Sequence, residues 1–139
     1  MIRPTSEEPK FLTKFSNGSA AGISDIAASQ GGTGTGFRPH ELLEAALATC
    51  INMTILVYAQ TLGLPVEDVS TEVQLDRTSA NESIFRYKVD LKGDQLSSQQ
   101  RAKLLNGARA CPVKKTLAKA IRFELAESEE PGITEKTGS

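Results

Sequence analysis

Two cysteines carry the most specific chemistry that the residue types of this chain offer. Cys50 and Cys111 are its only thiols, and because 61 residues separate them, any contact between them must be tertiary. A thiolate can attack the O–O bond of a peroxide and become a sulfenic acid, which a second thiol condenses to a disulfide. Cys50 lies on an apolar helical face with Leu47 and Met53, so an organic peroxide would suit these surroundings.

The same two thiols also fit an inert role. Free cysteines are often buried and then behave as small hydrophobic side chains.

Cys111 precedes Pro112 at a predicted helix start, where the helix dipole and the nearby Lys114 and Lys115 would stabilise a thiolate. Helix-end electrostatics therefore favours Cys111 as the more acidic thiol.

Length and composition limit the other functions. The chain has 139 residues, enough for a single domain over 1–139, and its formal net charge of -1 argues against a generally basic nucleic-acid-binding surface. Two cysteines and one histidine are too few for a His/Cys zinc site, and we expect neither metal nor cofactor. There is no run of 18 uncharged apolar residues and no secretion signal, so we expect a cytoplasmic protein without a membrane partner.

One long helix dominates the predicted structure. Pro39 suits a first helical turn, the run 41–62 is helical in pattern, and Gly63 ends it. Apolar residues occur almost all the way round this run, which predicts a helix buried on most sides. The polar residues within it argue against a membrane span; they are Glu44, Asn52 and Gln60.

Alternating patterns predict the strands around this helix. Two strands over 69–76 and 83–91 should form a hairpin, a weaker hairpin should join 10–16 to 22–28, and a last strand should cover 121–125. The segment 30–37 is read as a glycine-rich connection that lets the chain run close to the helix start.

The remaining segments complete an α+β architecture. A capping box at Ser97 opens a helix that runs to about Arg109, and another helix starts at Pro112. Polar composition predicts flexible tails over 1–8 and 127–139, with an ordered core of about 9–126. We therefore expect a two-layer α+β fold, with helices on one side of an antiparallel sheet.

Two motifs together resemble the OsmC/Ohr family, that is, osmotically inducible protein C and organic hydroperoxide resistance protein. The first is Phe37-Arg38-Pro39-His40-Glu41-Leu42-Leu43 followed by an alanine-rich helix that reaches Cys50, and the second is Ala110-Cys111-Pro112-Val113. The resemblance extends from about residue 31 to residue 125.

The resemblance implies an intertwined homodimer with a long central helix and reduction of organic hydroperoxides in oxidative or osmotic stress defence. It implies that Cys50 is the peroxidatic and Cys111 the resolving cysteine, with a cellular dithiol of the lipoyl type as reductant. Activation or proton transfer would come from Arg38, His40 or Glu41; the family's glutamate position is His40 here, and Glu41 follows it.

A non-enzymatic protein is the alternative. In that case the same dimeric OsmC-like fold holds inert core thiols, or its pocket binds a small apolar ligand. Titration of the free thiols before and after one equivalent of an alkyl hydroperoxide separates the two hypotheses.

Overall fold

The computed structural model describes residues 1–126, and the predicted tail at 127–139 lies outside the described residues. Within the described residues, five strands, three α-helices and two short 3₁₀ segments follow one another. In order they are β1 (Arg3–Ser6), β2 (Thr13–Ser16), β3 (Ala21–Ser24), a 3₁₀ turn (Ala28–Gln30), α1 (Pro39–Leu62), β4 (Asp68–Asp76), β5 (Ile84–Lys92), α2 (Ser98–Gly107), a second 3₁₀ turn (Ala108–Ala110) and α3 (Pro112–Leu117).

The long helix α1 starts and ends where the sequence predicts, within two residues. Pro39 is its first residue, and Gly63 closes it in a left-handed conformation with φ 64°. There the N–H groups of Gly63 and Leu64 donate to the last carbonyl groups, including that of Ala59 at 2.9 Å from the Leu64 nitrogen. Only a residue without a Cβ adopts this φ without strain, so Gly63 fixes the end of α1.

The β4–β5 hairpin confirms the alternation read from the sequence. The strands pair antiparallel from Asp68 opposite Lys92 to Asp76 opposite Ile84. Their apolar face lies against α1, which is held to β4 by two polar contacts: the Thr71 hydroxyl donates to the Asn52 side chain at 2.6 Å, and the Leu75 N–H donates to Glu44 at 2.7 Å. Two of the polar residues that argued against a membrane span thus attach α1 to the sheet.

The core forms where one stripe of α1 meets the hairpin and the C-terminal helices. This stripe consists of four buried residues spaced four apart along α1, namely Leu47, Ile51, Ile55 and Ala59. These pack with Val69 and Leu91 of the hairpin and with Leu96, Leu104, Ala108 and Cys111. By length and composition alone α1 passes as a membrane span, as core helices of soluble proteins also do.

The prediction that α1 is buried on most sides is wrong for the single chain. Several of its large apolar side chains outside the stripe are exposed, among them Leu43, Met53, Leu56 and Val57. One hairpin and two short helices cover only one side of α1, so these side chains are left exposed by residues 1–126.

The predicted last strand over 121–125 is also wrong, because residues 120–126 have no regular secondary structure. Ile121, Phe123 and Leu125 are exposed, at 56%, 96% and 72% of their surface. Alternation gives a segment the pattern of a strand, but a strand forms only where another strand offers hydrogen-bonding partners.

At the N-terminus, part of the segment 1–8, for which composition predicts a flexible tail, forms a strand. Arg3–Ser6 form β1, which pairs antiparallel with β2, and β2 pairs with β3 in a three-stranded sheet. The predicted hairpin strands over 10–16 and 22–28 are shorter than expected, at Thr13–Ser16 and Ala21–Ser24. The residues of β1 are all exposed, so backbone hydrogen bonding to β2 places them, and a pattern based on burial could not find them.

A candidate thiol active site

The structure brings the two cysteines together from distant parts of the chain. Cys50 lies in the middle of α1, half-buried, and Cys111 is fully buried at the residue before α3. Pro112 occupies the first position of α3, as the sequence predicts, because its fixed φ and missing N–H suit that place. The two thiols lie close enough for each to change the pKa of the other, and both are free.

The environment lowers the pKa of Cys50. Burial acts to raise this pKa, but three hydrogen bonds to the sulfur more than offset it; they come from the Cys111 thiol, the Val113 N–H and the Thr54 side chain. Thr54 lies one helical turn beyond Cys50, and its hydroxyl is also 2.7 Å from the Cys50 carbonyl oxygen. Hydrogen-bond donors around one sulfur thus favour the thiolate of Cys50.

The pKa of Cys111 moves in the opposite direction. Burial is the main cause of the increase, and the hydrogen bond to Cys50 and the negative charge on that sulfur add to it. The N–H groups of Lys114 and Val113 offset part of this increase, which is the helix-start effect expected from the sequence. Burial outweighs that effect, so the structure favours Cys50, and not Cys111, as the more acidic thiol.

A largely apolar cavity opens above Cys50. Its volume is about 590 Å³, and none of its lining residues carries a charged side chain. The lining runs along one face of α1 and continues on the segment between α2 and α3: Cys50, Met53, Thr54, Val57, Tyr58, Thr61, Gly107, Ala110 and Pro112. A cavity of this size and polarity suits a small or medium organic molecule.

Close packing of Tyr58 against Gly107 forms one wall of this thiol cavity. A Cβ built on Gly107 would lie 2.6 Å from Cδ1 of the Tyr58 ring, closer than carbon atoms approach. Three residues of the cavity lining carry no signature that the sequence patterns above singled out: Thr54, Tyr58 and Gly107. Thr54 and Tyr58 follow Cys50 by four and eight residues, so helical spacing could have placed both of them on the same face as the thiol.

Arg38 and Glu41 lie outside the thiol cavity of the single chain. They line a separate cavity of about 190 Å³ at the start of α1. The Arg38 guanidinium forms an ion pair with the Glu41 carboxylate, whose Oε2 also accepts the Arg38 N–H at 2.9 Å. These hydrogen bonds, first from the backbone and then from the side chain of Arg38, lower the pKa of Glu41.

His40 is exposed in the first turn of α1 and lines neither of these two cavities. At ten residues from Cys50, it is separated from the thiol by about 15 Å of helical rise. The structure therefore brings together Cys50 and Cys111 within one chain, but it does not bring Arg38, His40 or Glu41 to them.

The glycine-rich connection before α1 wraps around a buried carboxylate. Asp25 is 3% exposed and accepts hydrogen bonds from the N–H groups of Ile26 and Thr33, both at 2.8 Å, and from the Thr33 hydroxyl. The Thr33 hydroxyl is the main cause of the lowered pKa of Asp25. Gly36, with φ 79°, passes so close to the Ile23 carbonyl of β3 that a Cβ would lie 2.6 Å from its oxygen.

One lysine near Cys111 has a defined partner. The Lys114 ammonium donates to the Tyr87 hydroxyl of β5 at 2.8 Å and lies 4.9 Å from the centre of the same ring. This contact ties the first turn of α3 to the hairpin. Within residues 1–126, no group of three His, Cys, Asp or Glu side chains is placed to hold a metal ion.

The family model described as OsmC-like protein matches residues 32–126, and the chain therefore belongs to the OsmC-like family. The matched segment contains both cysteines, all of α1 and the β4–β5 hairpin. No curated protein matches the sequence.

Solved structures show that the fold is shared across most of the chain. An OsmC-like protein from Mycoplasma pneumoniae superposes with a TM-score of 0.66 at 17% identity, covering 84% of this chain and 85% of that one. An organic hydroperoxide resistance protein OsmC from Legionella pneumophila gives 0.59 at 21% identity, covering 85% and 88%. An OsmC-like protein of unknown function from Vibrio cholerae gives 0.60 at 13% identity, covering 85% and 91%.

Proposed function

We propose that this protein is a thiol-dependent peroxidase that reduces organic hydroperoxides, with Cys50 as the peroxidatic and Cys111 as the resolving cysteine. The observation that carries the proposal is the pair of free thiols, each of which changes the pKa of the other, with Cys50 in the lining of an apolar cavity of about 590 Å³. Membership of the OsmC-like family and the fold shared with an organic hydroperoxide resistance protein support a role in stress defence.

The first chemical step uses the thiolate of Cys50. Its sulfur attacks the terminal oxygen of the hydroperoxide, the O–O bond breaks, and the alkoxide takes a proton and leaves as an alcohol. Cys50 is then a sulfenic acid. The lowered pKa of Cys50 supports this order, because the first step requires the thiolate.

The second step uses the neighbouring thiol of Cys111. Its sulfur attacks the sulfur of the sulfenic acid, a disulfide forms, and the hydroxyl group leaves as water. A cellular dithiol of the lipoyl type then reduces this disulfide to two thiols and is itself oxidised to a disulfide. Because Cys111 is fully buried beside Cys50, it can reach the sulfenic acid before a second peroxide molecule oxidises it further.

We further propose that two copies of the chain form an intertwined dimer in the cytoplasm. The exposed apolar side chains of α1 and of residues 121–125 support this, because a second copy could cover the first set and pair with the second. Sedimentation should give twice the 14.9 kDa chain mass at micromolar concentration. A stable folded monomer would contradict this part of the proposal.

Arg38 and Glu41 lie outside the thiol cavity of the single chain, and this favours a second candidate function. Thiolate activation often relies on a nearby cation, and none of the residues that line the thiol cavity is charged. A non-enzymatic protein that binds a small apolar ligand would need only the cavity.

Thiol titration separates the two functions. One equivalent of cumene hydroperoxide should remove both free thiols, produce one equivalent of alcohol and leave a Cys50–Cys111 disulfide in the peptide map. Unchanged thiols and intact hydroperoxide would show that the thiols are inert. The Cys50→Ser and Cys111→Ser proteins are the matched controls, because each removes one sulfur atom with little change of volume.

A further inference from the structure

The basic residues of this chain are concentrated in its C-terminal helices. Residues 95–123 contain seven of the 16 lysines and arginines and none of the 17 aspartates and glutamates. The rest of the chain therefore carries nine basic residues against all 17 acidic ones, which the overall net charge of -1 conceals. An uneven distribution of this kind directs charged partners to one part of a surface.

Three of the seven basic side chains already have a hydrogen-bond or ion-pair partner. Arg101 donates to the carbonyl groups of Leu91 and Gly93, both at 2.6 Å, and Arg122 lies 3.3 Å from Glu124. Lys114 is bound to Tyr87. The other four are exposed and form no ion pair within the described residues; we call them the basic surface, namely Lys103, Arg109, Lys115 and Lys119.

The basic surface lies beside the thiol cavity. Ala110 and Pro112 line the cavity and are both exposed, and Arg109 directly precedes Ala110. Lys115 follows Pro112 by three residues, so helical spacing places it on the same side of α3 as Pro112. Lys119 lies two residues beyond the end of α3. The helical turn continues to Lys119, whose N–H donates to the Thr116 carbonyl at 3.2 Å.

We propose that the basic surface docks an acidic protein that carries the reducing dithiol to the Cys50–Cys111 disulfide. This inference rests on the proposed peroxidase function. The cavity lining contains no charge, so the cavity itself is suited to a neutral peroxide, and the cations lie outside it along two helices. Such an extended set of cations matches an acidic protein surface better than a single small anion.

The docking leaves the chemistry of reduction unchanged and increases its rate. One thiolate of the partner's dithiol attacks the protein disulfide and forms a mixed disulfide, releasing one protein thiol. The second partner thiol then displaces the other protein thiol, so the partner gains a disulfide and the protein regains two thiols. Attraction between opposite charges increases the encounter rate, and salt screens this attraction.

The binding test uses a fluorescent, thiol-free peptide rich in glutamate and a matched peptide with glutamine in place of glutamate. At low salt, fluorescence anisotropy should detect binding of the acidic peptide only. Lys115→Glu/Lys119→Glu should weaken that binding about tenfold or more. The control Lys14→Glu/Lys88→Glu changes the net charge equally at exposed strand positions and should retain the binding.

The rate test uses the same two peptides with one dithiol added to each. The peroxide-oxidised protein should be reduced about tenfold faster by the acidic peptide than by the glutamine peptide at low salt, and about equally at high salt. The Lys115→Glu/Lys119→Glu variant should lose this ratio, and the strand variant should keep it. Equal rates in the wild type, or loss of the ratio in both variants, would overturn the proposal.

Two other results are decisive. Tighter binding of a DNA duplex than of the acidic peptide, lost in the Lys115→Glu/Lys119→Glu variant, would assign the surface to phosphates and overturn the proposal. Failure of hydroperoxide to produce any disulfide that dithiothreitol can reduce would overturn the proposed peroxidase function instead. The binding test would then still decide whether the surface selects an acidic peptide.

Discussion

The start and the middle of α1 adjoin polar groups in opposite situations. At its start, the buried carboxylate of Asp25 and the carboxylate of Glu41 each accept several hydrogen bonds from nearby residues. In its middle, the sulfur of Cys50 has the Cys111 thiol as a partner and faces an open apolar cavity. We call the first region the helix-start corner, defined by Asp25, residues 30–37, Arg38 and Glu41.

This difference separates structural from reactive polar groups. The carboxylates of the helix-start corner hold a loop and a helix terminus in place, and their bonds leave little capacity for a substrate. Cys50 instead lines a cavity that a substrate can enter, and Cys111 is buried beside it. The family resemblance predicts one site that combines Arg38 and Glu41 with the two thiols, whereas within residues 1–126 of the single chain the reactive groups lie around Cys50 and Cys111.

The largest effect is expected from Cys50→Ser. Because the first step requires a thiolate, this change should lower the rate of organic hydroperoxide reduction by about 10³-fold or more in a coupled assay with a dithiol. Arg38→Gln is the matched change in the helix-start corner. An equally large loss in Arg38→Gln would mean that a second copy brings this corner to the thiol cavity.

Gly107→Ala should destabilise the protein through the cavity wall. The φ of Gly107 is -60°, which alanine adopts readily, so any loss comes from the clash with the Tyr58 ring. Overpacking of this kind costs about 1–3 kcal/mol, measurable by urea denaturation. Asn106→Ala is the control at the adjacent exposed position, and an equal loss there would contradict the packing argument.

Replacing Cys111 should change the titration of Cys50. Cys111→Ala removes a hydrogen-bond donor to the thiolate, so the pKa of Cys50 should rise and its alkylation by iodoacetamide should slow severalfold at neutral pH. Cys111→Ser retains a donor and should leave the pH profile closer to the wild type. A pH profile that shifts to lower pH in Cys111→Ala would contradict the hydrogen-bonding argument.

The smallest effect is expected from Glu41→Gln, and it should depend on pH. The pKa of Glu41 is lowered in the folded protein, so its ion pair contributes stability above the unfolded pKa, whose ordinary value is 4.5. That contribution disappears as the pH falls through the folded pKa. The wild type should therefore have a slightly higher Tm than Glu41→Gln at pH 7, and this difference should vanish at low pH. A Tm difference that grows as the pH falls would contradict the predicted direction of the pH dependence.

The sequence patterns correctly predicted the elements that depend on residues near one another in the chain. The alternation over 69–76 and 83–91 gave the β4–β5 hairpin, and Pro39 and Gly63 gave the limits of α1. The strand over 121–125 failed because alternation describes side chains, whereas a strand also requires a hydrogen-bonded neighbour. The polar strand β1 was missed for the opposite reason, since its backbone pairs although its side chains are exposed.

The candidate site depended on information that spacing does not contain. The contact between Cys50 and Cys111 joins residues 61 positions apart, and only the family resemblance indicated it. Helix-end electrostatics favoured Cys111 as the more acidic thiol, and burial, which a local pattern does not reveal, reverses that order. The placement of Arg38 and Glu41 away from the thiols likewise depends on how the connection before α1 folds.

Trapping the sulfenic acid in the two single-cysteine proteins tests the central claim most directly. After one equivalent of cumene hydroperoxide in the presence of dimedone, mass spectrometry of Cys111→Ser should show the label on Cys50. The Cys50→Ser protein should remain unlabelled, because the pKa of Cys111 is raised and its thiol is fully buried. Labelling of Cys111 in the Cys50→Ser protein, with none at Cys50 in the Cys111→Ser protein, would contradict this assignment.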